Sequence, residues 1–283
     1  MRLGQIKWQG NTTAAIFNHS SARPIPDYTV CDLICTAEKQ GVRLTELAEE
    51  LSIPRPVSAE PMIPLQPREV WGCSSTYESS PSFHRGERPQ IFFKGTARVC
   101  VGPGQPIGIR PDSRFTAPEP ELALVLGAKG RVLGYTLAND VSARDIGGEN
   151  PLYHSQSKTF HASCALGPVM VTADEIDDPR ALVVRCTVTR GGETIFAEEV
   201  STARLGRSLD ALVEALMRAN PVPPGSVLLT GTGIVVGESL AAGDSVAIRV
   251  EQIGELTNPA TLIEIQSVSS GISMSSSRSA SAA

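Results

Sequence analysis

The run Thr116-Ala-Pro-Glu-Pro-Glu-Leu-Ala-Leu-Val-Leu-Gly127 constrains this chain more than any other segment. It alternates, so a strand here puts Glu119, Glu121, Ala123 and Val125 on one face and Leu122, Leu124 and Leu126 on the other. Two carboxylates then share a face with apolar neighbours. Pro120 cannot donate to a ladder, which fits a strand start or a sheet edge and places the pair at a sheet rim. Taken alone, such a pair also suits a solvated edge decorated with charge.

The next segment narrows that choice. Ala128-Lys129-Gly130 reads as a tight connection into RVLGYTLAND, a second strand able to pair antiparallel with the first and to carry Asp140 back to Glu119 and Glu121. Three carboxylates brought together without a counter-charge repel one another, so either one is protonated or a cation sits among them. An all-oxygen donor set favours Mg²⁺, with Mn²⁺ or Ca²⁺ as alternatives, over zinc or copper.

Around this hairpin the chain divides in composition. Residues 1–68 read as a small α/β unit: a strand-like opening, an apolar-periodic stretch from Tyr28 to Lys39 and a helical run from Leu44 to Leu51. Five prolines between Pro54 and Pro67 end it. From residue 69 to 266 short β-like runs follow one another, namely IFFKG, RVCVGPG, LALVLGAKG, RVLGYTLAND, GPVMV, LVVRCTVTRGG and SVLLTGTGIVVG. One amphipathic helix, marked by Leu205, Leu209, Leu212, Val213 and Leu216, interrupts them before Pro221, Pro223 and Pro224. The pattern predicts a strand-rich α+β domain rather than a doubly wound one. Residues 267–283, rich in Ser and Ala, predict a disordered tail.

Bulk properties exclude several classes. With 283 residues the chain is long enough to bury a large core without staples, and a formal charge of −5 leaves no basic surplus for nucleic acid or anionic lipid. No stretch reaches the roughly 18 apolar residues of a membrane span, and the first residues lack the apolar core of a signal peptide, so a cytoplasmic enzyme is expected. The six cysteines show no CxxC and no Cys/His pairing, which predicts reduced thiols, most of them in the core.

The ordered series PEPELALVLG, GYTLANDVSARDI, GENPLYHSQSKTF, SCALGP and LLTGTGIV resembles the fumarylacetoacetate hydrolase superfamily. The GENPLY…QSK stretch is most similar to its 2-keto-3-deoxy-arabinonate/xylonate dehydratase branch. The resemblance runs from about Pro89 to Asn258 and implies a rolled mixed β-sheet core with a smaller amino-terminal domain, in a homodimer or homotetramer. It implies that Glu119, Glu121 and Asp140 hold Mg²⁺, that Lys158 transfers a proton or stabilises an enolate, and that Thr232, flanked by Gly231 and Gly233, holds the carboxylate of a small 2-oxo acid. Burial beside a metal would lower the Lys158 pKa. Glu149, Asn150, Tyr153 and Gln156 are expected to line the substrate hydroxyls. The reaction implied is loss of water from a 2-keto-3-deoxy pentonate to give 2-oxoglutarate semialdehyde.

Two departures bear on that reaction. Gln90 stands where the branch carries a glutamate, a candidate catalytic position at which an amide cannot exchange protons. The stretch TYESSPSFHRGERP is shorter than its counterpart, so part of a lid is expected to be missing. Glu78, His84 and Glu87 in that stretch keep open a hydrolase that cleaves C–C bonds in acylpyruvates, or a relative that binds metal and oxo acid without turnover.

Overall fold

A computed structural model describes residues 1–18 and 21–264, so the expected tail at 267–283 lies outside the described residues. In chain order, β1 (Arg2–Trp8), β2 (Asn11–Asn18) and β3 (Ser21–Ile25) lead into α1 (Val30–Gln40), α2 (Leu44–Leu51) and the short β4 (Val57–Ser58). Then come β5 (Val70–Ser74), β6 (Gln90–Gly95), β7 (Cys100–Val101), β8 (Ile107–Ile109), β9 (Thr116–Ala117), β10 (Pro120–Leu126), β11 (Val132–Asp140) and β12 (Ser142–Ala143). Two short helices, α3 (Arg144–Glu149) and α4 (His154–Lys158), precede β13 (Cys164–Thr172), β14 (Val183–Arg190) and β15 (Glu193–Ser201). Last are α5 (Leu209–Met217), β16 (Ser226–Leu229), β17 (Ser245–Val250) and β18 (Gly254–Leu262).

One large mixed sheet runs β4-β3-β2-β1-β13-β11-β10-β16-β5-β6, with β7 added parallel to β13. A second sheet runs β15-β14-β17-β18-β8. The fold is the strand-rich α+β arrangement the sequence predicts, with parallel pairs at β5/β16, β7/β13 and β8/β18 making it mixed. The sheet is continuous across residue 68, because β1 pairs antiparallel with β13.

Both faces of β10 are covered, which is why its sequence is an almost unbroken apolar run. Leu122, Leu124 and Leu126 enter the core shared with the second sheet, while Ala123 and Val125 enter the core under α1 and α2. Burying each of those leucines contributes about 1.5–3 kcal/mol. The predicted separation of faces therefore holds, and the choice left open for Pro120 resolves: it is the first residue of a central strand, not an edge. Lys129 and Gly130 take positive φ in the connection to β11.

The helices follow local signals. Thr29 and Asp32 form a capping box at α1, and Gly41 closes it with a left-handed C-cap. Ser208 caps α5, so Leu205 falls before the helix rather than within it. Ile234 to Gly237 is irregular, not strand, so the LLTGTGIVVG run leaves the sheet after Leu229. Among the described residues no helix is long and apolar enough to cross a membrane.

Candidate metal centre

The β10–β11 register places the acidic cluster. Glu121 pairs with Ala138 and Pro120 with Asn139; one step further, the Asp140 N–H donates to the Glu119 carbonyl at 2.9 Å. The Asn139 side-chain oxygen accepts from the Glu119 N–H at 3.1 Å, fixing the residue just before the strand. One carboxylate oxygen from each of Glu119, Glu121 and Asp140 lies within 4.8 Å of the others. Glu121 and Asp140 are each 1 % exposed, and Glu119 is half-buried.

Two lysines answer this charge. Lys158 Nζ lies 2.7 Å from Glu119 Oε2, 2.7 Å from Asp140 Oδ2 and 2.6 Å from Ser142 Oγ. Lys94, fully buried, places Nζ 2.5 Å from Asp140 Oδ1 and donates to the Val141 carbonyl at 2.9 Å. Burial pushes the Asp140 carboxyl up, but Lys158 and Lys94 outweigh it and hold the group below the usual range. Burial and the charges of Asp140 and Glu119 push Glu121 well above the usual range, against the pull of Lys158 and the N–H of Gly231. Repulsion is thus relieved in two ways: Asp140 is neutralised by ammonium groups, while Glu121 is driven towards its protonated form.

The lowering of the Lys158 pKa is expected from burial beside a metal; the carboxylates by themselves act the other way. Burial does favour its neutral form, but contact with Asp140 and Glu119 more than reverses this and raises the pKa. The ammonium lies between two of the three carboxylates, a position whose surroundings fit a cation. The donor set, three carboxylates and no sulfur or imidazole, fits a hard divalent ion.

A pocket of about 320 Å³ opens on this cluster, lined by Glu119, Lys158, Arg144, Thr232, Gly233 and a wall of serines that includes Ser74 and Ser75. Arg144 places Nε 3.4 Å from Glu119 Oε1 and anchors Nη1 on the Val236 carbonyl at 2.8 Å. Thr232 faces the pocket but its hydroxyl also caps its own loop, 3.1 Å from both the N–H and the carbonyl oxygen of Ile234. Gly231 does not offer its N–H to a ligand. It donates to Glu121 Oε2, and its φ of +90° and a Cβ position 2.1 Å from Thr76 Oγ1 admit glycine alone.

The other expected contacts are not brought to the pocket wall. Glu149, Asn150, Tyr153 and Gln156 are exposed, and the Asn150 side chain caps a turn by accepting from the Leu152 N–H. Gln90 is exposed at the start of β6, in register with Ser74, so it adjoins the pocket without lining it. His84 and Glu87 lie exposed in their loop, and Glu78 is paired with Arg85. Conversely, Lys94 and Arg144 were not singled out from sequence. The signal for Lys94 was its place in the strand QIFFKG, two residues from Phe92 on the same face; for Arg144 it was the four-residue spacing from Asp140.

The model for the fumarylacetoacetate (FAA) hydrolase C-terminal region matches residues 68–261. The 2-dehydro-3-deoxy-D-arabinonate dehydratase of Saccharolobus solfataricus is 42 % identical over 216 residues, covering 69 % of this chain and 72 % of that protein. A probable 2-keto-3-deoxyxylonate dehydratase of Haloferax volcanii is 40 % identical over 217 residues, covering 71 % and 75 %. Among solved structures, a 2-keto-3-deoxy-D-arabinonate dehydratase complexed with magnesium and 2,5-dioxopentanoate superposes with a TM-score of 0.78 at 35 % identity, over 94 % of this chain and all of that one.

Proposed function

Because this chain belongs to the fumarylacetoacetate hydrolase family, we propose that it is a magnesium-dependent hydro-lyase that dehydrates 2-keto-3-deoxy pentonates to 2-oxoglutarate semialdehyde. The observation that carries this reading is the Glu119, Glu121 and Asp140 cluster with Lys158 at its mouth, opening into a hydroxyl-rich pocket. Similarity to the two dehydratases, and to the structure bound to magnesium and a five-carbon dioxo acid, supports it.

The three carboxylates would hold the ion, which supplies a Lewis acid that draws charge from C2 of a 2-oxo acid and makes a C3 proton removable. The remaining tasks fall to the chain's own groups. Arg144 gives the pocket a fixed positive charge suited to the substrate carboxylate, beside the Thr232 hydroxyl. Lys158, with Nζ 2.7 Å from Glu119 and from Asp140, is placed to stabilise negative charge on an enolate oxygen and to donate a proton as the C4 hydroxyl leaves as water, while pocket water takes the C3 proton and returns it to the lysine. The serine wall offers donors and acceptors to the remaining hydroxyls. Gln90 sits outside the pocket and takes no proton-transfer role in this scheme.

The test is incubation of purified protein and Mg²⁺ with 2-keto-3-deoxy-D-arabinonate or -xylonate, following formation of 2-oxoglutarate semialdehyde. Turnover that disappears with chelation is the expected result. Cleavage of an acylpyruvate without dehydration would move the assignment to a C–C hydrolase. Binding of Mg²⁺ with oxalate but no turnover of either class would make it a non-catalytic relative. In that event a Gln90→Glu variant that gained dehydratase activity would identify the missing acid.

A further inference from the structure

A row of side chains crosses the large sheet at the level of the carboxylates. Cys100 on β7 is the register partner of Cys164 on β13, and Cys164 is the partner of Asp140 on β11. Register partners project to the same face, so the two thiols stand side by side next to the Asp140 carboxylate. Neighbouring strands lie about 4.8 Å apart, which falls within the roughly 4.4–6.8 Å between Cα atoms that a disulfide spans. The thiols interact directly: a hydrogen bond to Cys100, together with burial, keeps Cys164 protonated well above the ordinary thiol range. Cys100 Sγ lies 3.5 Å from the Thr96 carbonyl oxygen. Cys100 is partly buried and Cys164 fully buried, so Cys100 is the more accessible of the two and the one an oxidant meets first.

We propose that Cys100 and Cys164 are a peroxide-oxidisable pair, and that the disulfide they form alters cation binding at the adjacent carboxylate cluster. The Cys100 sulfur attacks the peroxide; an S–O bond forms, the O–O bond breaks, and one water leaves, giving a sulfenic acid. The Cys164 sulfur then displaces the sulfenic oxygen; an S–S bond forms, the S–O bond breaks, and a second water leaves with the two thiol protons accounted for. Two electrons pass from the two sulfurs to the peroxide. The coupling follows from what the bridge joins. Cys100 lies six positions after Lys94, the buried partner of Asp140. Cys164 directly follows Ser163, whose hydroxyl donates to the Lys158 carbonyl at 3.0 Å and whose carbonyl accepts from the Val141 N–H at 2.9 Å. Joining the two sulfurs therefore fixes side chains that pack beside Asp140 and restrains the segments that hold Asp140, Lys94 and Lys158.

The experiment treats the full-length protein with hydrogen peroxide and reads intact mass, free thiols, a peptide map and Mg²⁺ affinity by titration calorimetry. Expected are loss of two of the six thiols, a mass lower by about 2 Da, a Cys100–Cys164 linked peptide and reversal by dithiothreitol. Mg²⁺ affinity should fall by about tenfold or more in the oxidised protein, the range of effects seen when the supports of metal ligands are disturbed. Cys100→Ser, a change at a partly buried position, should abolish the linked peptide and leave Mg²⁺ affinity insensitive to peroxide; Cys164→Ala, checked by thermal unfolding, should do the same. Oxygen addition to Cys100 without a mass loss, or a bridge between two chains, overturns the pair. A bridge that leaves Mg²⁺ affinity unchanged overturns the coupling. Failure of the reduced protein to bind Mg²⁺ counts against the metal reading, a result separable from the mass and peptide data.

Discussion

The β10–β11 hairpin and the segment from Glu149 to Gln156 both carry polar residues expected at one site, yet they meet opposite fates. In the hairpin, ladder register brings the three carboxylates together, and Glu121 and Asp140 are buried in a central strand pair. In the later segment, short helices and a capped turn leave Glu149, Asn150, Tyr153 and Gln156 in solvent, while Lys158 alone reaches the cluster. The difference teaches that side chains fixed by long-range pairing keep their place, whereas those on a locally stabilised loop are free to face water. Lys158 belongs with the hairpin because ion pairs and Ser142 hold it there.

The comparison breaks most visibly at Lys94. Lys94→Met leaves the buried Asp140 short of a counter-charge, and a loss of about 3–5 kcal/mol in chemical denaturation is expected. A loss below 1 kcal/mol would mean that Asp140 is held by Lys158 alone. Asp140→Asn removes a formal charge from the donor set, and Mg²⁺ affinity measured by calorimetry should fall on the order of 100-fold. Unchanged affinity would refute the cation site as described. Gly231→Ala forces a side chain into positive φ against Thr76 and displaces the donor to Glu121, for a cost of about 1–3 kcal/mol. Thermal unfolding with chelator present reads that cost.

Glu121 gives a test with a definite sign. Its folded-state pKa is raised, so ionising it costs stability; the cost is absent below the unfolded value of about 4.3 and fully present above the raised folded value. Metal-free wild type should therefore lose stability as pH rises across that window, and Glu121→Gln should flatten the slope. Asp140 acts oppositely: its depressed pKa contributes stability that is present above about 3.9 and is lost as pH falls through the folded value. The two effects thus occupy different windows. A slope unchanged by Glu121→Gln would place the titration elsewhere. The smallest effect is expected in the exposed segment, where Gln156→Ala should change kcat/KM by less than about twofold. A tenfold loss there would show that the segment folds over bound substrate.

How far the sequence could be read depended on what fixed each element. The alternation from Glu119 to Leu126 settles which residues share a face, because a strand has a period of two wherever it sits. It does not show that both faces are covered, nor that Pro120 opens a central strand. β15 escaped the strand reading because its chain, ETIFAEEVS, is polar and largely exposed on both sides; its pairing with β14 makes it a strand. The cysteines were legible as reduced thiols, but Cys100 and Cys164 are 64 positions apart and only the β7/β13 register sets them side by side.

The amino-acid sequence by itself determined the acidic triad, its assembly by a hairpin and the family pattern around it, since local periodicity and a short turn suffice to bring those groups together. Only the tertiary structure decided how the charge is balanced. Lys94 and Lys158 arrive from segments 46 positions before and 18 positions after Asp140, and Gly231 turns its N–H onto Glu121 rather than towards a ligand. The physical reason is that charge compensation depends on distance and burial, which are properties of the packed molecule and leave no period in the chain.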